Sequence, residues 1–223
     1  MEVISCMEMS ETIVELEHVK KSYKGNVLFK DLNFRMQRGE SCAIVGDNGA
    51  GKSVLLKMIC GLVRPDEGRI TVGGEKIEKG KFPKDIGVIL DNAGFLSNET
   101  GLRNLSIIAG ILRKVTREDL EAVMRMVGLD PASQVKVGKY SLGMKQRLAI
   151  AQALMEKPSI LILDEPFNAI DPKTVMDFRL LLRRLNEKEG VTIIMTSHHR
   201  EDICDLCRNI YQIDSKGLKN IEL

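Results

Sequence analysis

Residues Gly46-Asp47-Asn48-Gly49-Ala50-Gly51-Lys52-Ser53 constrain this chain more than any other stretch of it. They satisfy the pattern G-x-x-x-x-G-K-[ST] in full, and the setting fits. The short apolar run Ser41–Val45 precedes them and reads as a buried central strand. Val54–Cys60 follows as a helix, with Gly61 as its stop. Glycines let the backbone turn its N–H groups onto phosphate oxygens, and the helix N-terminus adds its partial positive charge. The segment Gly46 to Val54 is therefore the candidate phosphate cradle. Lys52 would reach the β and γ phosphates, and Ser53 would offer its hydroxyl to magnesium. The pattern points to a nucleoside triphosphatase without saying which kind.

A second signal is Ser159-Ile160-Leu161-Ile162-Leu163-Asp164-Glu165-Pro166. An apolar strand delivers Asp164 to its carboxyl end, where it can hold magnesium through water. Glu165 comes next, facing the opposite way if the strand geometry continues. It is the candidate general base for an attacking water. Alone, the pattern describes a surface strand end equally well; beside a phosphate loop it reads as half of a site.

The rest of the chain frames these segments. Ile13–Val19 alternates as a strand with one wet face, and Asn26–Arg38 supplies a second. Arg69–Val72 and Lys76–Ile77 look like a hairpin around Gly73-Gly74. Ile86–Leu90 is another apolar strand. From about Asn98 to Tyr140 the pattern turns helical, with Thr116-Arg117-Glu118-Asp119 as a weak capping box. Leu142–Met155 and Lys173–Asn186 are helices, and Val191–Thr196 is a last core strand. A short helix and a closing pair near Ile210 and Leu218 follow. The fold class expected is α/β, a P-loop core with a mostly parallel central sheet, an N-terminal antiparallel β subdomain and an inserted helical lobe at about 98–145. No repeat or low-complexity linker divides residues 1–223, so one domain with lobes is expected.

Composition narrows the class. A net charge of +2 demands neither nucleic acid nor an acidic membrane as partner. No apolar stretch approaches the roughly 20 residues of a membrane helix. The start lacks the basic and apolar regions of a secretory signal, so a cytoplasmic chain is expected. Met7 and Met9 are plausible alternative starts. The five cysteines, Cys6, Cys42, Cys60, Cys204 and Cys207, fit a reducing compartment. Cys204 and Cys207 have metal-ligand spacing but no second pair to complete a site.

Tyr140-Ser141-Leu142-Gly143-Met144-Lys145-Gln146-Arg147-Leu148 resembles the signature motif of the ATP-binding-cassette family. Without that resemblance it would read as a helix start with a Ser cap. The family's commoner wording is L-S-G-G-Q, so Leu142 and Met144 are departures. The resemblance covers nearly the whole chain, and it implies ATP as the nucleotide with Mg2+. It further implies that Tyr23 stacks on adenine, although a lone Tyr near a strand end more often packs. Asn168-Ala169-Ile170-Asp171 resembles the loop that communicates across the dimer, and His198 the switch histidine at the γ phosphate. His199 has no counterpart and reads as surface; His18 reads as structural. Where most of the family carries glutamine, this chain has Asp91. That is similar to an export-type branch associated with bacitracin and lantibiotic self-protection. Asp91 could still meet magnesium but cannot donate a hydrogen bond when ionised, which suits coupling rather than chemistry.

In the family the signature completes the opposite subunit's site. Ser141, Gly143, Met144 and Gln146 would then contact nucleotide held by the other chain's Lys52. The resemblance thus implies a homodimer, or a heterodimer with another such subunit, on the inner face of the membrane. A separate transmembrane permease would be its partner, with no nucleic acid. An ATPase acting on ribosomes or DNA is the competing class, but these usually carry a tandem cassette or coiled-coil insertion, absent here. No N-K-x-D guanine motif appears.

Overall fold

A computed structural model describes residues 11–23, 25–78, 80–90, 94–112, 115–168, 170–214 and 217–222. Cys6, Met7, Met9, Asp91 and Ala169 lie outside the described residues. In chain order the strands are β1 (Thr12–Tyr23), β2 (Asn26–Gln37), β3 (Ser41–Val45), β4 (Glu67–Val72), β5 (Glu75–Lys76), β6 (Ile86–Ile89), β7 (Ile160–Asp164), β8 (Thr192–Thr196), β9 (Asn209–Asp214) and β10 (Gly217–Ile221). The helices are α1 (Lys52–Ile59), α2 (Gly101–Leu112), α3 (Arg117–Met126), α4 (Leu142–Leu154), α5 (Pro172–Glu189) and α6 (Arg200–Leu206).

Two sheets carry the fold. The antiparallel sheet has the order β2-β1-β4-β5, and the second has the order β10-β9-β3-β8-β7-β6. In the second sheet β9, β3, β8, β7 and β6 run parallel, and only the edge strand β10 is antiparallel. This is the expected mostly parallel sheet. The hairpin between β4 and β5 also forms, one residue earlier than the sequence suggests. Gly73 and Gly74 hold φ of 59° and 77° in its turn, the positive pair that a two-residue turn of this kind requires.

Continuous apolar strands serve two cores because successive side chains point to opposite faces. Ile160, Ile162 and Ile194 join Ile44 and the residues of the antiparallel sheet in one core. Leu161, Leu163, Ile193 and Met195 join the helical side in the other. Helix α1 lies in the first core and buries Leu55, Leu56, Met58 and Ile59. It stops where the sequence says it should. Gly61 takes φ 76°, its N–H donates to the Met58 carbonyl and the Leu62 N–H donates to the Lys57 carbonyl, which satisfies carbonyls otherwise left open.

The helical stretch begins with α2 and α3. Thr116 and Asp119 form the full reciprocal capping box at the start of α3. Asp119 also takes an ion pair from Lys157 at 2.9 Å. Lys157 and Thr116 together pull its carboxyl down to about 2. Arg147 on α4 ties three helices together. It donates to the Val127 carbonyl past the end of α3 at 2.7 Å and to Asp177 of α5 at 2.8 Å. Its guanidinium also lies 5.5 Å from the Phe178 ring centre.

Helix α4 packs on β6 at a close approach that only glycine permits. A Cβ on Gly87 would overlap the Ala153 carbonyl oxygen and crowd Leu161 and Pro158. Gly87→Ala is therefore expected to destabilise the protein by about 1–3 kcal/mol through overpacking. Thermal unfolding measures this, and an unchanged midpoint would refute the close approach.

Candidate functional site

The carboxyl ends of β3, β7 and β8 open onto one cleft of about 480 Å³. From the loop after β3 come Asn48, Gly49 and Gly51, with Lys52, Ser53 and Val54 from the first turn of α1. Asp164, Glu165 and Asn168 follow β7, His198 follows β8, and Tyr23 reaches in from the end of β1. Tyr23 is 53% exposed.

The loop has its shape because its glycines have no side chains. Gly46 holds φ 152° and Gly51 φ 104°. A Cβ on Gly46 would strike Ile213 of β9, and one on Gly51 would strike the Phe29 ring. Gly51 heads α1 in a left-handed conformation with no side-chain cap. The first N–H groups of a helix have no partner within it, so this end suits an anion. Ala50 closes the turn, donating its N–H to the Asp47 carbonyl at 3.1 Å. Lys52 is only 8% exposed. Its ammonium donates to the carbonyls of Gly46 at 2.6 Å and Asp47 at 3.2 Å.

The two acids meet the same cleft, and the opposite facing that continued strand geometry would have given Glu165 does not occur. Strand geometry ends at Asp164, and Glu165 turns into the left-handed region with φ 47°. The alternation of faces stops there, so both carboxylates line the cleft. The turn is held by β8: the Glu165 N–H donates to Thr196 Oγ1 at 2.9 Å, and that hydroxyl donates to Asp164 Oδ1 at 2.6 Å. Both carboxylate oxygens of Glu165 are buried and accept no hydrogen bond from the described residues. His198 Nε2 stands 3.0 Å from Oε1 without the alignment of a hydrogen bond. Buried polar atoms without partners are uncommon, and here they lie beside an open cleft.

The donors that could hold a magnesium ion are oxygens. Ser53, Asp164 and Glu165 share a hollow of about 330 Å³ that adjoins the cleft. A hydroxyl and carboxylates suit this hard cation, which usually keeps several of its waters. Asp91, expected as a further ligand, lies outside the described residues.

The signature residues lie elsewhere. Ser141 caps α4 by accepting the Met144 N–H at 3.2 Å, and it is exposed. Gly143 faces Asp171, whose Oδ2 a Cβ would approach to 3.2 Å. Ser141, Gly143 and Met144 do not line the cleft of their own chain. Gln146 does reach the adjoining hollow, and its amide donates to the Pro166 carbonyl at 2.7 Å. His199 is exposed, and His18 is an exposed partner of Asp31 at 2.9 Å.

Comparison with known proteins agrees with this geometry. The family described as ABC transporter matches residues 29–168. The uncharacterized ABC transporter ATP-binding protein YybJ of Bacillus subtilis is 42% identical over 211 residues, covering 94% of this chain and 96% of that one. The bacitracin transport ATP-binding protein BcrA of Bacillus licheniformis is 36% identical over 201 residues, 89% of this chain and 66% of that one. Among solved structures, the ATP-binding cassette MJ0796, as a dimer in a post-hydrolysis state bound to ADP and Pi, superposes with a TM-score of 0.83. Its identity is 26%, with 95% of this chain and 99% of that one covered.

Sequence reasoning passed over Thr196. Its signal was a hydroxyl ending an otherwise apolar strand, and nothing local shows that it bridges Asp164 and Glu165 some thirty positions away. Removing that hydroxyl leaves a buried N–H and a carboxylate oxygen unpaired. Thr196→Val is expected to cost about 1–3 kcal/mol of stability and to slow hydrolysis, while Thr196→Ser keeps both. Equal melting and turnover of Thr196→Val and the native chain would refute the bridge.

Proposed function

The chain belongs to the ABC transporter family, and we propose that it powers a separate membrane permease, working as an exporter subunit from the cytoplasmic face. ATP binding and hydrolysis come with the family. Among the described residues no helix is long and apolar enough to cross a membrane, so a permease on another chain would supply the passage. The 36% identity to a bacitracin transport ATP-binding protein and the acidic Asp91 support the export reading.

The carrying observation is the split of the site. Phosphate loop, acids and His198 share one cleft, while Ser141, Gly143 and Met144 stand exposed or half-buried outside it. A second copy placed head to tail would bring its Ser141 hydroxyl and Gly143 backbone to the γ phosphate held by the first copy's Lys52. ATP then favours the closed pair because it contacts both chains only in that state. The comparison cassette is itself a dimer.

In this reading Lys52 leaves the carbonyls of Gly46 and Asp47 for the β and γ phosphates. Tyr23 stacks on the base, and Gly46, Asp47, Asn48, Gly49, Ala50, Gly51 and Val54 wrap the phosphates with backbone. Glu165 takes a proton from the attacking water with an oxygen that has no other partner. His198 positions the γ phosphate beside it. Ser53 and Asp164 would hold Mg2+, which supplies charge neutralisation on the phosphates when bound.

Glu165→Gln is expected to bind ATP, lose hydrolysis and run as a dimer on a sizing column under saturating ATP. A monomer there would overturn the two-chain site. Tagged chain from gently solubilised membranes is expected to carry a multi-span membrane protein in stoichiometric amount. Recovery from the soluble fraction alone, or with ribosomes or DNA, would overturn the transport reading and leave the ATPase standing.

A further inference from the structure

Asp202 is a charged side chain that the proposed reaction does not use, and it is 1% exposed. Burying a carboxylate is costly unless its oxygens are paired, and both are. Arg179 of α5 donates to Oδ1 through Nε at 2.8 Å and Nη2 at 2.5 Å. Ser197 donates its hydroxyl to Oδ2 at 3.1 Å. That same hydroxyl accepts the His199 N–H at 3.0 Å. The Asp202 N–H in turn donates to the His199 carbonyl at 3.1 Å.

His198 therefore sits between two residues that the network holds. Ser197 is 3% exposed and fixed through its hydroxyl, and His199 is tied by its N–H and its carbonyl. The imidazole itself is 46% exposed, with Nε2 3.0 Å from Glu165 Oε1. Its own contacts do little to place it, so its position is set by the backbone on either side. Arg179 lies on the helix that begins after the Asn168–Asp171 loop, and it further meets Asp205 of α6 at 3.3 Å.

We infer that Arg179 and the buried Asp202 and Ser197 form a relay of positioning residues that holds His198 at the reacting end of the nucleotide. The relay anchors the turn after β8 to α5. This rests on the assignment of His198 to the γ phosphate. None of the three relay residues lines the cleft, and each acts through the backbone of the histidine turn. Ser197 is the informative position, because its loss cuts the relay while leaving the Arg179–Asp202 ion pair intact.

The test is a double-mutant cycle on the full chain, with kcat and ATP affinity measured separately. Ser197→Ala is expected to lower kcat about tenfold to a hundredfold while nucleotide affinity stays within about twofold. Ser197→Thr, which keeps the hydroxyl, restores the rate. In a His198→Ala background, Ser197→Ala has no further effect, since a relay acting through the ring has nothing left to position. Asp202→Asn is expected to follow Ser197→Ala if it folds. An equal loss from Ser197→Ala in both backgrounds, or native turnover of Ser197→Ala beside a slow His198→Ala, overturns the relay alone. Native turnover of His198→Ala overturns the His198 assignment and the relay with it.

Discussion

Everything at the site depends on three neighbouring parallel strands ending at one edge. The order β3-β8-β7 places the phosphate loop, the histidine turn and the acids side by side. Strands lie about 4.8 Å apart, so groups at their ends are already within reach of one ligand. The register is specific. Thr196 pairs across the sheet with Ile44 on one side and Asp164 on the other. The middle strand thus ends level with its neighbours, and its last hydroxyl lies where it can hold both acids. Ligand sites outside the carboxyl ends of parallel strands are the rule in open α/β sheets.

The two cores explain why that edge is firm. A one-residue slip would carry every side chain of a strand to the opposite face, so a buried face fixes the register. Here Ile160, Ile162 and Ile194 are claimed by one core and Leu161, Leu163, Ile193 and Met195 by the other. A slip would exchange the two sets and break the fitted packing of both cores at once. Helix α1 is anchored in the first core through Leu55, Leu56, Met58 and Ile59, so the loop before it runs between two fixed ends. The glycines at 46 and 51 are required because Ile213 and Phe29 press against that loop from outside.

How much was legible follows from where the information sits. The phosphate loop, the strand that ends in Asp164 and the capping box at Thr116 are local, with the residue types and their spacing contained in a few positions. The order of elements and the antiparallel hairpin were equally plain, since alternation and glycine pairs are local signals. Partnerships across the sheet were not. Thr196, Ser197 and Asp202 look ordinary in sequence, and their meaning comes from partners on β7 and α5. Glu165 was expected at the site, but its facing, read on the condition that strand geometry continued, was not legible for a related reason. Strand alternation was extended one residue too far, past the point where the Thr196 hydroxyl draws the backbone into a left-handed turn before Pro166. Propensity could not reveal this, because acids before proline favour extended backbone.

The resting place of Lys52 bears on how nucleotide enters. Its ammonium has already shed most of its water and is held by two carbonyls of its own loop. In the proposed function, a phosphate at Lys52 would displace neutral acceptors, and the cation would not have to be stripped of solvent at that moment. The Lys52 ammonium ties the carbonyls of Gly46 and Asp47 together, so the charge proposed to meet phosphate also braces the loop proposed to wrap it.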